Sequence, residues 1–356
     1  MRKSAILSWL REDDPDYLDD LYHVADCCRR DNVGDSVHLR GLVEISNNCV
    51  RNCCYCGLRR DNPAVARYRM TAEEIMACAR EAVKRRYGSL VLQAGEDYAL
   101  MTKWVAELIS RIKAETPLAV TLGLGERPVH ELEAWKEAGA DRYLLKFETS
   151  DPALYRMIHP PMPDERFSRK DLLRILKDIG YETGSGVMIG IPGQSFESLA
   201  EDLLLFRDLD LDMIGVGPFI PHPDTPLGNG ELVAPAPAGE QVPNTADMTY
   251  KFLAITRVLC PDTNLPATTA LTSISSEQGR ELALRRGANV IMPTLTPARY
   301  RKSYEIYPHK RCFSEDSVEE HLSLGRTLSG LGRSCGRGRG SRRRSGGGCT
   351  ITEGAA

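Results

Sequence analysis

The sequence contains no long apolar segment and no excess of charge of either sign. No stretch approaches the roughly 20 consecutive apolar residues that a transmembrane helix requires. The net charge of −3 over 356 residues gives no general attraction to nucleic acid or to an anionic membrane. The N-terminal stretch MRKSAILSWLREDD reaches acidic residues before an apolar core of signal-peptide length can form. We therefore expect a cytoplasmic protein with no nucleic-acid partner and no membrane partner.

The sequence also lacks the even cysteine count of a closed disulfide framework, because it has eleven cysteines. Thiols stay reduced in the cytoplasm, so clustered cysteines there more often bind metal or take part in chemistry. The stretch CVRNCCYCGLRRDN contains Cys49, Cys53, Cys54 and Cys56. A disulfide, a zinc site and an iron–sulfur site are the three possibilities for it.

The ligands that would complete a closed metal site are missing as well. A structural zinc site needs four ligands, and neither a second C-x2-C pair nor a nearby histidine occurs. A ferredoxin-type cluster also takes four thiolates, and Cys54 is a poor fourth ligand because neighbouring residues rarely both reach one cluster. Three thiolates from Cys49, Cys53 and Cys56 instead suggest a [4Fe–4S] cluster with one iron open to an amino-acid-like ligand. Zinc-bound or unligated cysteines are the alternative.

Apolar runs alternate with amphipathic stretches along the middle of the chain. The candidate strands are 38–46, 89–96, 118–126, 142–148, 184–193, 213–221, 265–271 and 289–295. The candidate helices between them include 71–86, 101–115, 128–139, 195–209 and 275–287. Eight alternations over roughly 250 residues, with strands too apolar for an exposed sheet face, predict an α/β fold with a closed (β/α)₈ TIM-type barrel. A doubly wound open sheet is the alternative.

Four segments follow from this pattern. Residues 1–37 are predicted to be helices that cap the barrel, 38–312 to be the barrel itself and 313–330 to be a C-terminal helix. Residues 331–356 are rich in Gly, Arg and Ser with almost nothing apolar. Such a segment buries too little surface to offset its ordering entropy, so a disordered tail is predicted there.

Ionisable side chains are concentrated at the predicted C-terminal ends of the strands. The cysteine run follows the first candidate strand, Glu96 ends the second and Glu126 ends the third. Lys146 and Glu148 end the fourth. In barrels of this kind the chemistry takes place at that end, so a binding cavity is expected there.

The Cys-x3-Cys-x2-Cys spacing, with aromatic Tyr55 before the last cysteine, resembles the radical S-adenosylmethionine (SAM) superfamily. The resemblance extends over YCGLRRDN, RYRMTAEEI, VLQAGED, GADRYLLKFET, GYETGSG, GIPGQ, GPFIPHPDTPL, LPATTA, GANVIMPTLTP and YEIYPHKRC. Together these stretches resemble the HydE family of radical SAM maturases of [FeFe]-hydrogenase, from residue 1 to about residue 312. The resemblance implies an enzyme that cleaves SAM to a 5′-deoxyadenosyl radical during assembly of the hydrogenase di-iron centre.

The same resemblance implies the cofactor contacts. Cys49, Cys53 and Cys56 would bind the [4Fe–4S] cluster. The implied SAM-binding residues are Tyr55, Gly95, Glu96, Glu148, Arg169, Ile189 and Tyr304. Gly95 and Glu96 would meet the SAM amino group, and the fork of Arg169 suits a carboxylate. The main chain of Tyr55 and of the strand containing Ile189 would lie beside adenine.

A substrate chamber deeper in the barrel is implied by the resemblance alone. Its candidate lining residues are Thr121, Arg142, Lys146, Thr268, Thr269 and Met292. The implied substrate is a small organometallic iron complex that bears cyanide and carbonyl. The implied partners are another radical SAM maturase, a GTPase scaffold protein and an electron donor.

The sequence departs from the family pattern at several positions. Cys312 stands at the first position of a second cysteine set that many relatives carry, and no partner cysteines follow at the family spacing. Lys146 replaces an arginine of relatives, and Phe147 replaces a histidine of some relatives. Two alternative functions stay open: a related enzyme of the biotin synthase or methylornithine synthase group, and a non-catalytic cysteine metal-binding scaffold.

Overall fold

The structure is a computed structural model that describes residues 1–163, 165–232, 236–275, 278–308, 310 and 317–344. The strands are β1 (Ser36–Ser46), β2 (Ser89–Ala94), β3 (Ala119–Gly123), β4 (Arg142–Leu144), β5 (Glu182–Ile189), β6 (Met213–Pro218), β7 (Val290–Ile291) and β8 (Ser334–Cys335). The helices are α1 (Lys3–Arg11), α2 (Pro15–Val33), α3 (Ala72–Lys84), α4 (Thr102–Glu115), α5 (Val129–Glu137), α6 (Pro152–Ile158), α7 (Arg169–Ile179), α8 (Phe196–Asp208), α9 (Ala246–Leu259), α10 (Thr269–Ile274), α11 (Gly279–Arg285), α12 (Ala298–Arg301) and α13 (Ser317–Gly330). Within the described chain, no helix has both the length and the apolar character needed to cross a membrane.

The strands form one parallel sheet in the order β6-β5-β4-β3-β2-β1-β7, and β8 pairs with β1. Isolated parallel bridges join Met213 of β6 to Asn264, and Pro266 to Val290 of β7. The sheet therefore curls round on itself, with the segment between β6 and β7 connecting its two sides. The predicted α/β fold with a parallel, barrel-like sheet is confirmed.

The structure assigns no strand over the predicted range 265–271. One of the two bridges lies within that range, at Pro266, and the other lies just before it, at Asn264. Pro266 has no N–H to donate to a ladder. Thr268 then caps α10, where its hydroxyl accepts from the N–H of Leu271 at 3.4 Å. A helix start therefore replaces the second half of the predicted strand.

Local sequence signals set several helix ends near the site. The predicted capping box is present at α3, where Thr71 and Glu74 satisfy each other's main-chain N–H groups. A second box, formed by Ser168 and Asp171, begins α7. That helix ends at Gly180, whose φ of 94° is a left-handed conformation that glycine adopts without strain. These caps fix the first residue of α7 at the upper end of the barrel, where the strands finish.

The barrel interior is open at two glycines. A Cβ atom added to Gly123 of β3 or to Gly215 of β6 would meet no atom nearer than 3.9 Å. In contrast, Leu90 and Leu92 of β2 are fully buried in the core. The glycines therefore leave space within the sheet that larger side chains would fill.

The N-terminal helices lie along the outside of the barrel. α1 contacts α8 and α9, and α2 contacts α9 and α11. Ile6 and Leu10 of α1 are fully buried, and Lys3 forms an ion pair with Glu197 in the first turn of α8. The apolar face of these helices is therefore buried against the outer helices, and the capping of the barrel by residues 1–37 stays a prediction.

The C-terminal tail covers the lower end, where the strands begin. Residues 331–344 have defined contacts, unlike the predicted disordered tail, and 345–356 lie outside the described residues. Arg333 donates to the carbonyl oxygen of Leu284 at 3.1 Å, and Arg342 donates to the carboxylate of Asp262 at 2.7 Å. The composition of a segment indicates only how much apolar surface the segment can bury by itself. This tail is ordered because it forms hydrogen bonds with the surface of the folded barrel.

Candidate functional site

A cavity of about 290 Å³ opens at the upper end of the barrel. The predicted site residues in its wall are Cys49, Cys53, Tyr55, Cys56, Gly95, Glu96, Lys146, Glu148, Arg169 and Tyr304. Parallel strands finish at the same end of a barrel, which brings residues far apart in sequence to one place. The structure therefore brings the predicted cluster ligands and most of the predicted SAM-binding residues into one wall.

The cysteine loop, residues 49–56, is held in place by main-chain hydrogen bonds. The N–H of Val50 donates to the carbonyl oxygen of Glu96 at 2.9 Å, and the N–H of Gly57 donates to that of Ile306 at 3.0 Å. A Cβ atom at Gly57 would lie 2.3 Å from a main-chain oxygen, so only glycine fits there. The loop is thus fixed against two other parts of the barrel rim.

The four cysteines of the loop do not share one environment. Cys54 belongs to a small apolar cluster with Ile158, Phe219 and Leu227, and it is not part of the cavity wall. The other three cysteines line the cavity. All four are free thiols, so the structure contains no disulfide within the loop.

Burial affects the ionisation of the three cavity thiols. Removal from water raises the pKa of Cys56 to about 12, and it also raises the pKa of Cys49 and of Cys53. The N–H of Glu96 lies 3.4 Å from Sγ of Cys49 and donates to it. Within the described residues, no three His, Cys, Asp or Glu side chains are grouped closely enough to hold a single metal ion. A four-iron cluster has a different requirement, since each thiolate binds a different iron.

Arg51, inside the cysteine loop, is the main site residue that the sequence analysis missed. Its guanidinium is buried and donates to three carboxylates: to Glu96 at 2.7 Å, to Glu126 at 2.5 Å and to Glu165 at 3.0 Å. Its position between Cys49 and Cys53, two of the predicted cluster ligands, is the sequence feature that could have indicated a role in the site. Nothing in the local sequence indicates its partners.

The contacts of Arg51 change the interpretation of Glu96. One carboxylate oxygen of Glu96 accepts from Arg51 and from the hydroxyl of Tyr98, at 3.2 Å for the latter. The other oxygen accepts from the N–H of Glu126 at 2.9 Å. Both oxygens of Glu96 are therefore already hydrogen-bonded within the protein.

Arg169, the first residue of α7, is held by three acceptors. It donates to Glu126 at 2.7 Å, to the carbonyl oxygen of Lys146 at 2.6 Å and to Nε2 of His159 at 2.7 Å. Burial and the neighbouring guanidinium groups lower the pKa of His159 to about 2. The imidazole is therefore neutral, and its Nε2 accepts because an arginine N–H can only donate.

Glu148 occupies a strained backbone position in the cavity wall. Its φ of 63° lies in the left-handed region, which non-glycine residues rarely adopt. The main chain is held there because its N–H donates to Gly186 and its carbonyl oxygen accepts from Met188. Among the described residues one carboxylate oxygen has no hydrogen-bond partner, although the Lys146 ammonium lies 3.2 Å from it. A buried carboxylate oxygen left in this state is available to a ligand.

Three further predicted cofactor contacts lie in different surroundings. A Cβ atom at Gly95 would lie 2.2 Å from the carbonyl oxygen of Asn48, so glycine permits close contact between β2 and the cysteine loop. Tyr304 is buried and lines the cavity. The side chain of Ile189 is buried in the main core, and its neighbour Met188 lines the cavity instead.

The candidate substrate residues are less concentrated than the cofactor set. Among them Lys146 lines the cavity, whereas Thr121, Arg142, Thr268, Thr269 and Met292 are not in its wall. Thr121 is buried on β3, and its hydroxyl has no hydrogen-bond partner in the part of the chain that the structure describes. Thr268 caps α10, and Thr269 is the first residue of that helix. Met292 follows β7 and is half-buried.

Arg142 lies at the opposite end of the barrel from the cavity. It is fully buried and donates to Glu182 at 2.7 Å, to Ser89 at 2.9 Å and to the carbonyl oxygen of Arg339 at 2.8 Å. The structure therefore separates Arg142 from the other site residues, because β4 places it at the strand start and Lys146 beyond the strand end.

Comparison with known proteins agrees with these observations. The family model described as Radical SAM superfamily matches residues 43–206. The chain is 47% identical over 324 residues to the [FeFe] hydrogenase maturase subunit HydE of Thermotoga maritima, covering 91% of this chain and 89% of that protein.

More distant relatives share the fold. The chain is 28% identical over 295 residues to the 3-methylornithine synthase of Methanosarcina acetivorans, covering 82% of this chain and 78% of that protein. The crystal structure of methylornithine synthase (PylB) superposes with a TM-score of 0.79 at 24% identity, covering 94% of each chain.

Proposed function

The chain belongs to the HydE family of [FeFe]-hydrogenase maturases in the radical SAM superfamily, and on that premise we propose that Cys49, Cys53 and Cys56 bind a [4Fe–4S] cluster. The observation that carries this proposal is that these three thiols share one cavity wall, while Cys54 belongs to a separate apolar cluster. The protein is a radical SAM enzyme of [FeFe]-hydrogenase maturation.

The donor set suits an iron–sulfur cluster. Soft thiolates are the usual ligands of such clusters. Burial keeps the free thiols protonated, and bound iron would supply the positive charge that deprotonates them. The N–H of Glu96 already points at the sulfur of Cys49, where it would stabilise the thiolate.

We propose that SAM binds beside the cluster in the same cavity. Its proposed contacts are Tyr55, Gly95, Glu96, Glu148, Arg169, Ile189 and Tyr304. Three of the five N–H donors of Arg169 are used by described residues, which leaves two for the SAM carboxylate. Glu148 offers the carboxylate oxygen whose neighbour among the described residues is the Lys146 ammonium. Glu96 and Ile189 are proposed to contribute through their main-chain carbonyl oxygens. Each of these accepts a hydrogen bond from the main chain, from Val50 and Phe219 respectively, and a carbonyl oxygen can accept a second one.

When bound, the reduced cluster and SAM supply the one-electron cleavage of the sulfonium S–C5′ bond that gives a 5′-deoxyadenosyl radical. The residues of this chain orient SAM and exclude water from the cavity. Arg51 serves this second purpose as well, because it also borders an outer cavity of about 540 Å³ and its ion pairs lie between the two cavities.

The substrate is proposed to be a small iron complex with cyanide and carbonyl ligands. Lys146 lines the cavity, and its ammonium group suits an anionic complex. The other proposed substrate residues are Thr121, Thr268, Thr269 and Met292, whereas the position of Arg142 at the opposite end of the barrel removes it from this set. Other hydrogenase maturation proteins, namely a radical SAM maturase and a GTPase scaffold, and an electron donor are proposed as partners. Cys312, the position at which a second cluster was considered, lies outside the described residues.

The experiment that tests the cluster assignment compares two cysteine variants of one loop. Anaerobically reconstituted Cys56→Ala should lose the cluster's EPR signal and SAM cleavage, whereas Cys54→Ala should keep about four irons per chain. Wild-type protein should also show an EPR signal that shifts when SAM is added. Equal losses in both variants, or a cluster spectrum that ignores SAM, would refute the assignment. Product analysis with candidate substrates then separates maturase activity from methylornithine-synthase-like activity.

A further inference from the structure

Three carboxylates from different parts of the rim converge on Arg51. Glu96 comes from the end of β2, Glu126 follows β3, and Glu165 precedes α7. The guanidinium is 4% exposed, so its contacts lie away from bulk water. A planar fork with five N–H donors holds three separate acceptors in fixed directions, which a lysine ammonium does not do.

Glu126 joins Arg51 to Arg169. Its two oxygens are divided between them, because Oε2 accepts from Arg51 at 2.5 Å and Oε1 accepts from Arg169 at 2.7 Å. The main-chain N–H of Glu126 also donates to Glu96 at 2.9 Å. One buried carboxylate, with side-chain exposure of 5%, thus connects the cysteine loop with the first turn of α7.

We propose that Arg51 and Glu126 are positioning residues that hold the cysteine loop and Arg169 at a fixed separation. This inference rests on the proposed function, in which the loop binds the cluster and Arg169 binds the SAM carboxylate. Neither Arg51 nor Glu126 needs to touch the cofactor in order to do this.

The physical need for such residues follows from the loop itself. Residues 47–62 contain no helix or strand, and loops of this kind are more mobile than the elements they connect. Transfer of an electron into a particular bond requires the bound ligand to be held close to the reacting iron, and misplacement by about 1 Å can cost on the order of 10²-fold in rate. The ion pairs of Arg51 restrict that movement.

The test uses Arg51→Lys and Glu126→Gln in the full-length, reconstituted protein. Glu131→Gln is the matched control. Glu131 lies on α5, outside the cavity wall, and it forms a comparable ion pair with Arg127 at 2.5 Å. The readouts are iron and sulfide content, the dissociation constant of SAM and the SAM-induced shift of the EPR signal.

We expect Arg51→Lys and Glu126→Gln to keep about four irons per chain and to bind SAM at least tenfold more weakly, with a broadened or smaller EPR shift. Glu131→Gln should bind SAM as the wild type does. Unchanged SAM affinity and EPR shift in both site variants would overturn the positioning role and leave the cluster assignment intact. If Arg51→Lys does not fold, the SAM affinity of Glu126→Gln alone tests the positioning role. A wild-type protein without a SAM-responsive cluster would overturn the proposed function, and the positioning role with it.

Discussion

The guanidinium of Arg142, inside the lower end of the barrel, donates to the main-chain carbonyl oxygen of Arg339 at 2.8 Å. A second buried arginine, Arg40, donates to the carbonyl oxygen of Gly340 at 3.2 Å. Only one carboxylate, Glu182, is bonded to this pair in the described structure. The C-terminal tail thus supplies acceptors for two cations that the barrel holds close together.

Removal of the tail is therefore expected to destabilise the barrel. Truncation after Leu331 should lower the free energy of unfolding by about 2–5 kcal/mol, because hydrogen bonds to charged groups contribute about 1.5–3 kcal/mol each. Truncation after Arg344 keeps every tail contact described above and is the control. Chemical denaturation measures both, and equal stability of the two truncated proteins would contradict this role for the tail.

The space at Gly123 should be needed for reaction rather than for folding. Gly123→Val is expected to leave stability within about 1 kcal/mol of wild type, since valine suits a strand and an added Cβ meets nothing nearer than 3.9 Å. The larger side chain should slow turnover by filling the cavity. Gly186→Ala is the contrasting variant, because its Cβ would lie 1.9 Å from the carbonyl oxygen of Gly215, and it should unfold at lower temperature. A Gly123→Val enzyme with normal turnover would show that this space is not used.

Glu148 should show a trade between stability and ligand binding. Glu148→Gly removes the strain of a φ of 63° together with the ion pair to Lys146. Relief of the strain is worth about 1–3 kcal/mol and a partly exposed ion pair contributes about 0–1 kcal/mol, so the variant should fold with equal or greater stability. The same change should weaken SAM binding, which calorimetric titration measures beside thermal denaturation. Glu148→Gln tests the carboxylate alone, because it keeps the strain. A lower melting temperature for Glu148→Gly would contradict the strain argument.

Asp202 should make the stability of the protein depend on pH. Burial raises the pKa of this carboxyl to about 7, above its ordinary value of 3.8. Between those values only the folded state binds the proton, so the contribution of Asp202 to stability falls as pH rises from about 4 to about 7.

The variant Asp202→Asn should remove that dependence. Its stability relative to wild type should increase from pH 5 to pH 8 by on the order of 1–3 kcal/mol, since one pKa unit corresponds to about 1.4 kcal/mol. Urea denaturation at both pH values measures the difference. Asp208 is exposed on the same helix, and Asp208→Asn is the matched control variant. A constant difference for Asp202→Asn would show that the carboxyl titrates normally.

Much of the fold could be predicted because its signals are local. Apolar runs with helices between them predict parallel strands, and the Thr71–Glu74 capping box is recognised from its sequence motif alone. The prediction of a strand at 265–271 was wrong for a reason that is also local, because Pro266 interrupts the hydrogen-bond ladder of the sheet. The tail was different: its order depends on Asp262 and other groups of the barrel, which no property of the segment itself reveals.

By itself the sequence determined the α/β class, the position of the cysteine loop after β1 and the family to which the chain belongs. Hydrophobic periodicity, cysteine spacing and sequence motifs are all properties of neighbouring residues in the chain. Tertiary structure decided which groups meet. Arg51 is 45 residues from Glu96 and 75 residues from Glu126, so only the curled sheet brings the three together. It also decided that Arg142 and Lys146, four positions apart on and beyond one strand, lie at different depths of the barrel. Side-chain partners depend on the approach of distant strand ends, and a linear pattern does not specify that approach.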